Sequence, residues 1–425
     1  MHQMILLARL VLAFFAHSLA LATDDDVRGP EFNVRLLPPP QTIEIEAPAP
    51  TPKKSVIDAV FDSVRARPET KIKQKKIDAI IAQGKKALMS LRGNKSRDRI
   101  MVVRDTLSAI AKAGGPTVFL ATDDDQDFAA WQSAFSGALE GARVPQIGVK
   151  LERLGAKWFI AKVYAGSAAE RAGLMDGDQW LRTDGQPAQP IQDLRRAKPG
   201  TPFTITVRRR ADGPTQDVQV SAGFMSVQEM LATHMERSHR LILAQAPGAT
   251  SSQMGRDLSI AYVALPAASH QVFREKLALL TSKYQAESDA MILDTRHGMI
   301  GPDATYVEAF LGEKALYTKP LVVLVDQSTG GGRERLAELI QKTGRGTLVG
   351  QPTQGLSEVL DFQDVLPGEA ALIYTVPSKN PKISRESRPL LPDTPVDMVT
   401  FFSAGTDEGL KKALGVAAAL SVKRA

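Results

Sequence analysis

The chain contains no cysteine. That absence excludes thiolate catalysis, cysteine-ligated zinc or iron–sulfur centres, disulfide staples and acylation of a cysteine, so stability must come from buried core. Aromatic residues are scarce at 6%, and only six histidines occur. Four of these, His234, His239, His270 and His297, lie beyond the first 22 residues. His234 and His239 are the close pair, but five apart on a helix they share no face, so neither a metal site nor a cofactor is indicated. Beyond the amino terminus there is no run of the roughly 20 clean apolar residues that a membrane span needs. A strong excess of one charge is also missing. Lys and Arg number 53 against 47 Asp and Glu, which leaves +6 over 425 residues. So dilute a charge makes no basic field of the kind nucleic acid requires, and nucleic acid is not expected as a partner.

What is present begins with an export pattern. Arg9, the apolar run Leu10 to Phe15 and the small-residue exit Ala20-Leu21-Ala22 read as a signal peptide over residues 1–22. Arg9 and His17 interrupt the run, which favours cleavage near Ala22 over a retained anchor. The expected location is periplasmic. Residues 23–54 carry Pro30, Pro38, Pro39, Pro40, Pro48, Pro50 and Pro52 without periodicity, the composition of an extended linker. From Ser55 the texture becomes helical. Val56, Ile57, Val60, Phe61 and Val64 recur at helical spacing, as do apolar residues over 77–91 and 101–113, and residues 55–145 read as a helical region.

Near Val144 the pattern changes to short β-like runs separated by turns, at 147–151, 158–163, 180–183 and 203–207, and residues 146–222 read as a small β-rich module. A polar connecting segment is expected over 223–256. Strands and helices then alternate over 257–425: strand 258–265, helix 271–284, strand 291–294, helix 305–311, strand 321–325 and helix 333–342. That order predicts a layered α/β core, within a multidomain α+β chain.

Four separate pieces in the β-rich module occur in order: Gln146-Ile147-Gly148-Val149, Gly166 to Leu174, Asp176-Gly177-Asp178 and Asp184-Gly185. Together they resemble a PDZ domain of the bacterial protease-associated type. Such a domain adds an extended peptide as a strand and holds its terminal carboxylate on loop amides; the resemblance places that loop at Gln146, Ile147, Gly148 and Val149. Gln146 stands where the loop's first glycine is usual, and the groove helix is short, about Ile191 to Arg196. In the core, Ile292 to Gly301, Pro320 to Val325, Gly344-Arg345, Val349 to Thr353 and Leu391-Pro392-Asp393 follow the pattern of the carboxy-terminal processing peptidases, or tail-specific proteases. With this resemblance, residues 55 to about 420 fall into a helical region, a PDZ domain and a crotonase-like or ClpP-like core.

Those enzymes use a Ser–Lys dyad, in which a neutral lysine takes the proton of the attacking serine. Where the family has Ser-Ala-Ser-Ala-Ser-Glu, with the middle serine as nucleophile, this chain has Thr329-Gly330-Gly331-Gly332-Arg333-Glu334. The nucleophile position is Gly331. Where the family has its lysine turn, Val349-Gly350-Gln351-Pro352 leads into Thr353-Gln354-Gly355-Leu356-Ser357, so the base position is Leu356. Neither side chain exchanges a proton, and a dyad acts as a unit. Amides at Ile300, Gly301 and Gly332 map onto the oxyanion hole and survive substitution. The resemblance therefore implies a pseudoprotease that binds polypeptide tails or an envelope partner, an active paralogue among the candidates.

Two alternatives stand beside that reading. One is a working serine endopeptidase with displaced residues drawn from Ser328, Thr329, Ser357 and Lys342. Against it, Lys342 is expected to face outward from a helix whose buried stripe is Leu336, Leu339 and Ile340. The other is a structural, oligomer-forming envelope protein. Gly355-Leu356-Ser357 lacks the last glycine of a nucleophile elbow, the triple glycine lacks the Lys-Ser or Lys-Thr of a P-loop, and His297 is expected to be a loop residue.

Overall fold

The structure is a computed structural model. It describes residues 56–65, 74–91, 96–113, 118–122, 143–245, 257–268, 270–299, 306–355, 359–366, 370–376, 389–397 and 401–424. The expected signal peptide (1–22), the expected linker (23–54) and the positions Ile300, Gly301, Leu356 and Ser357 lie outside the described residues.

The amino-terminal region contains α1 (Val56–Arg65), α2 (Gln74–Ser90) and α3 (Ser96–Lys112), followed by strand β1 (Val118–Thr122). Val60 and Val64 of α1, Ile77, Ile81 and Leu88 of α2, and Val103, Leu107 and Ile110 of α3 recur every three or four residues and bury one shared face. Gly84 lets α2 and α3 approach closely, since a Cβ there would lie 2.3 Å from Thr106 Oγ1. The expectation of a mainly helical region was incomplete. Its sheet is finished by two strands that enter from the carboxy-terminal half of the chain.

The β-rich module comprises β2 (Arg143–Gln146), β3 (Val149–Leu154), β4 (Lys157–Val163), the short α4 (Ala168–Arg171), β5 (Gln179–Thr183), β6 (Gln186–Pro187), α5 (Pro190–Arg196), β7 (Pro202–Arg208), β8 (Thr215–Ser221) and β9 (Gly223–Ser226). The main antiparallel sheet runs β3-β4-β5-β7-β8, with β6 on β5, and β2 pairs with β9 as a separate ribbon. Alternate residues such as Ile160, Trp180, Ile205, Val207, Val218 and Val220 point into one core.

The segment expected to be a polar connector is instead structured. It forms α6 (Val227–Ser238) and β10 (Arg240–Ala244). Ser226 and Glu229 close a capping box at the start of α6, and the helix buries polar residues, Gln228 and His234 among them, which hid it from a hydrophobicity reading. The core continues through β11 (Leu258–Ala264), α7 (Gln271–Glu287), β12 (Ala290–Asp294), β13 (Leu321–Val325), α8 (Gly332–Lys342), β14 (Thr347–Gly350), β15 (Val359–Leu366), β16 (Ala370–Val376), β17 (Thr394–Pro395) and α9 (Glu408–Arg424). In place of a helix over 305–311 there is a single 3₁₀ turn, Val307–Ala309.

The core sheet runs β10-β11-β12-β13-β14-β17, antiparallel at the first pair and parallel thereafter. Ala261, Val263, Met291, Leu293, Val323 and Val325 face the cluster that includes α6, α7 and α8. Ile260, Tyr262, Ile292, Val322, Leu324 and Val349 face α9 on the other side. Both faces are covered, which is why β12 and β13 read as unbroken apolar runs. β15 and β16 leave this sheet and join β1 in the order β1-β16-β15.

Candidate functional site

In a parallel sheet the loops leaving the carboxyl ends of the strands gather at one edge, and that is where a site is expected. β12 ends at Asp294, and the next residues turn sharply. Arg296 folds back on Asp294, with Nε to Oδ1 at 2.9 Å and Nη2 to Oδ2 at 2.7 Å, and it also reaches Asp407 at 2.7 Å. Tyr262 Oη donates to Asp294 at 2.9 Å. Burial pushes the Asp294 carboxyl up, but Arg296 overrides this and holds it well below the usual carboxylate range. His297 follows at φ +51°, a left-handed backbone uncommon outside glycine, although histidine enters it more readily than most residues.

The end of β13 supplies the opposite lip. Asp326 accepts the Ser328 amide at 2.9 Å and the Ser328 hydroxyl at 2.7 Å, and its other oxygen faces His297 Nδ1 at 3.5 Å. The carboxylate therefore sits between serine and histidine, so Ser328 is not aligned for activation by the imidazole. Burial holds the His297 ring below its ordinary pKa, against the pull of Asp326. The loop then passes Thr329 and Gly330 to Gly331, which caps α8 at φ +60° and ψ −135°. This conformation is open to glycine and strained for any other residue. The leading amides of α8, Gly332 first, have no partner within the helix.

Beneath this rim the first turn of α8 is charged and fully buried. Arg333, where the resemblance has serine, donates from Nη1 to the Thr295 carbonyl and from Nη2 to the Ser328 carbonyl at 2.8 Å. Glu334 accepts from the Thr353 hydroxyl and, at 2.9 Å, from the Gly355 amide. It thereby ties the head of α8 to the turn that precedes position 356.

Lys342 lies at the far end of α8, about 16 Å from Gly331 by helical rise. It is half exposed and bonds Glu338 at 2.5 Å. The outward orientation expected from the sequence is found, although Leu339 is only half-buried while Ala337 and Glu338 join the buried side. Burial raises the Glu338 carboxyl, but Lys342 and Arg335 override this and leave it low.

Of the four residues expected to form a peptide loop, Gln146 instead ends β2, paired with Gly223 of β9. The Ile147 carbonyl accepts the Ala169 amide at 2.8 Å and the Gly148 carbonyl accepts the Tyr164 amide at 2.9 Å. Gly148 sits at φ +87°, with room for no Cβ against Ser167. Val149 opens β3. Tyr164 Oη donates to the His297 carbonyl at 2.8 Å, joining the module to the core. His234 packs its ring on Tyr164 and accepts the Ala165 amide at 2.9 Å; burial drives its pKa down to about 4. His239 caps α6 and bonds Tyr284 instead of facing His234.

A cavity of about 540 Å³ opens between β3 and the two strand ends. Its walls include Lys150, Glu152, Arg296, His297, Asp326 and Ser328. The sequence reading missed Asp326, whose signal was available: an Asp two and three residues before Ser328 and Thr329 is an Asx-turn pattern.

Residues 297–380 match the family described as Peptidase family S41. That match covers part of the core. A carboxyl-terminal-processing protease of Synechocystis sp. is 28% identical over 242 residues, which cover 51% of this chain and 54% of that protein. The chain thus spans about half the length of that curated relative. Among solved structures, the photosystem II D1 C-terminal processing protease aligns over 86% of this chain and 99% of its own, at 15% identity and a TM-score of 0.48. Mature CPAF aligns over 87% and 98%, at 10% identity and a TM-score of 0.47. The S41 segment begins at His297 and contains Asp326, the glycine-rich head of α8 and the turn at Gly355.

Proposed function

We propose that this protein is an exported, catalytically inactive relative of the carboxyl-terminal-processing proteases that binds polypeptide tails or an envelope protein partner, an active paralogue among the candidates. One observation carries the reading. The residue that caps α8, where the family resemblance puts the nucleophile, is Gly331, and it has no side chain with which to attack. Leu356 at the base position agrees with it at the level of sequence. The neighbouring hydroxyl and amine do not offer a substitute dyad: Ser328 donates to Asp326, and Lys342 is held by Glu338 at the distant end of the helix.

What remains is a receptor. The module over 146–222 is read as a PDZ domain, with Ile147 to Val149 entering the strand that would lie beside a bound tail. Affinity is expected to be weak, since Gln146 is committed to a strand and α5 is short.

The test is casein cleavage by the wild type, Gly331→Ser, Leu356→Lys and the double variant. Wild type and both singles are expected to be inert, with at most a trace in the double variant. Robust wild-type cleavage that disappears in Ser357→Ala or Lys342→Ala would establish an active enzyme with displaced residues instead. Tail binding is checked by fluorescence anisotropy with a peptide ending in an apolar residue. Amidation of its carboxyl end is expected to weaken binding, and equal affinity for both forms would reduce the module to a spacer.

A further inference from the structure

The segment 401–407 leads into α9, and its first five residues contact the β-rich module. Phe401 and Phe402 close on the buried ring of Phe159 in β4, with centroids 4.3 Å and 5.1 Å away. The Phe402 amide donates to the Gly177 carbonyl at 2.9 Å. Asp176 offers its carbonyl to two donors from the same segment, the Ser403 hydroxyl at 2.8 Å and the Gly405 amide at 3.1 Å. The segment ends at Asp407, which clasps Arg296 of the core and accepts the Leu410 amide at the start of α9. A few residues therefore hold the module with one end and the floor of the core site with the other.

The backbone of this segment is strained. Phe402 and Ala404 both adopt left-handed φ, +57° and +49°. Such geometry is costly in residues with a side chain and persists only where surrounding contacts impose it. Here those contacts are the ring packing, three hydrogen bonds to Gly177 and Asp176, and the Arg296–Asp407 pair. Phe401, Ser403, Thr406 and Asp407 also line the cavity of about 540 Å³ between β3 and the strand ends.

We propose that residues 401–407 form a latch that fixes the β-rich module against the core, and that opening the latch and opening the cavity are one event. The contacts hold the segment against its own strain, which is released once the rings of Phe401 and Phe402 leave Phe159. An occupant that needs more room than the latched cavity gives meets the latch directly, so its binding and the latch position are linked. The inference goes beyond the receptor reading and its test needs no ligand, so one can fail without the other.

The absence of cysteine provides the probe. Ala161, 2% exposed on β4, lines the cavity, and Lys198 is exposed on the module surface. Ala161→Cys and Lys198→Cys, made separately in the full chain, each carry one thiol for a chromogenic disulfide reagent. With the latch intact, the thiol at 161 is expected to react at least tenfold more slowly than that at 198. Adding Phe401→Ala with Phe402→Ala should raise the rate at 161 about tenfold and leave that at 198 unchanged. Asp407→Asn, which keeps the rings and loosens the core end, should raise it to a smaller extent. Circular dichroism monitors folding, and Phe402→Leu replaces the double variant if that variant unfolds. An unchanged ratio of the two rates in variants that remain folded would overturn the latch.

Discussion

The floor and the rim of the candidate site are built by neighbouring residues, yet they have opposite character. The floor is dense with buried charge: Asp294, Arg296, Arg333 and Glu334 all lie under the strand ends, and each makes hydrogen bonds to named partners. The rim above it passes through Gly330, Gly331 and Gly332, which carry no side chain. Buried charges are costly to strand and are retained where the local fold depends on them. A reacting side chain on a rim has no such structural anchor. The difference teaches that the loops are held in place from below, so their shape does not rest on side chains at the rim.

The comparison breaks most forcefully if the floor is cut. Arg296→Ala leaves Asp294 buried without its cation and frees Asp407 from the core, a loss of about 3–5 kcal/mol by analogy with broken buried pairs. Urea denaturation measures it. A loss under about 1 kcal/mol, the scale of an exposed pair, would mean that the floor is wet and does not support the rim.

A second effect of about 3 kcal/mol distinguishes the module's seat on the core from the rim. His234 is 5% exposed, and burial holds its pKa at about 4 against an ordinary 6.5. Between these values the unfolded chain carries a proton on this imidazole that the folded chain does not. Stability is therefore full above pH 6.5 and falls as pH drops toward 4. His297, also held low by burial, adds to the same slope. Stability measured by denaturant at pH 7, 6, 5 and 4.5 should show this fall, and His234→Asn should flatten most of it. A slope unchanged in that variant would place the acid sensitivity elsewhere.

The sequence made parts of this legible for physical reasons. The parallel strands announced themselves because both faces are covered, and the glycines at 330–332 were conspicuous at a helix start. The latch was not legible, because two of its left-handed residues, Phe402 and Ala404, carry side chains, and the lone Gly405 beside them gives no more than an ordinary turn signal. Nor was the pairing of β1 with β16, which joins residues about 250 apart (Val118 with Tyr374) and leaves no local trace. The buried Gln228 and His234 concealed α6 behind polar composition, although Ser226 and Glu229 supplied its capping signal.

The smallest expected effect concerns the rim alone, and it sharpens the comparison without touching the floor. Gly331 holds φ +60° and ψ −135°, a conformation that a residue with Cβ adopts only under strain. A nucleophile elbow stores such strain in a working enzyme, because it lifts the attacking atom clear of the backbone. Glycine adopts this conformation without that strain. Gly331→Ser is therefore expected to lower stability by about 1–3 kcal/mol while restoring no proteolysis on its own. Gly344→Ala, at φ +66° past the end of the same helix with nothing crowding its Cβ, calibrates the ordinary cost of left-handed backbone. That cost is about 1 kcal/mol. If Gly331→Ser costs clearly more than Gly344→Ala, the strained geometry of a nucleophile turn persists in solution without its nucleophile. If Gly331→Ser is neutral, the turn relaxes, and the floor does not preserve the shape of the rim.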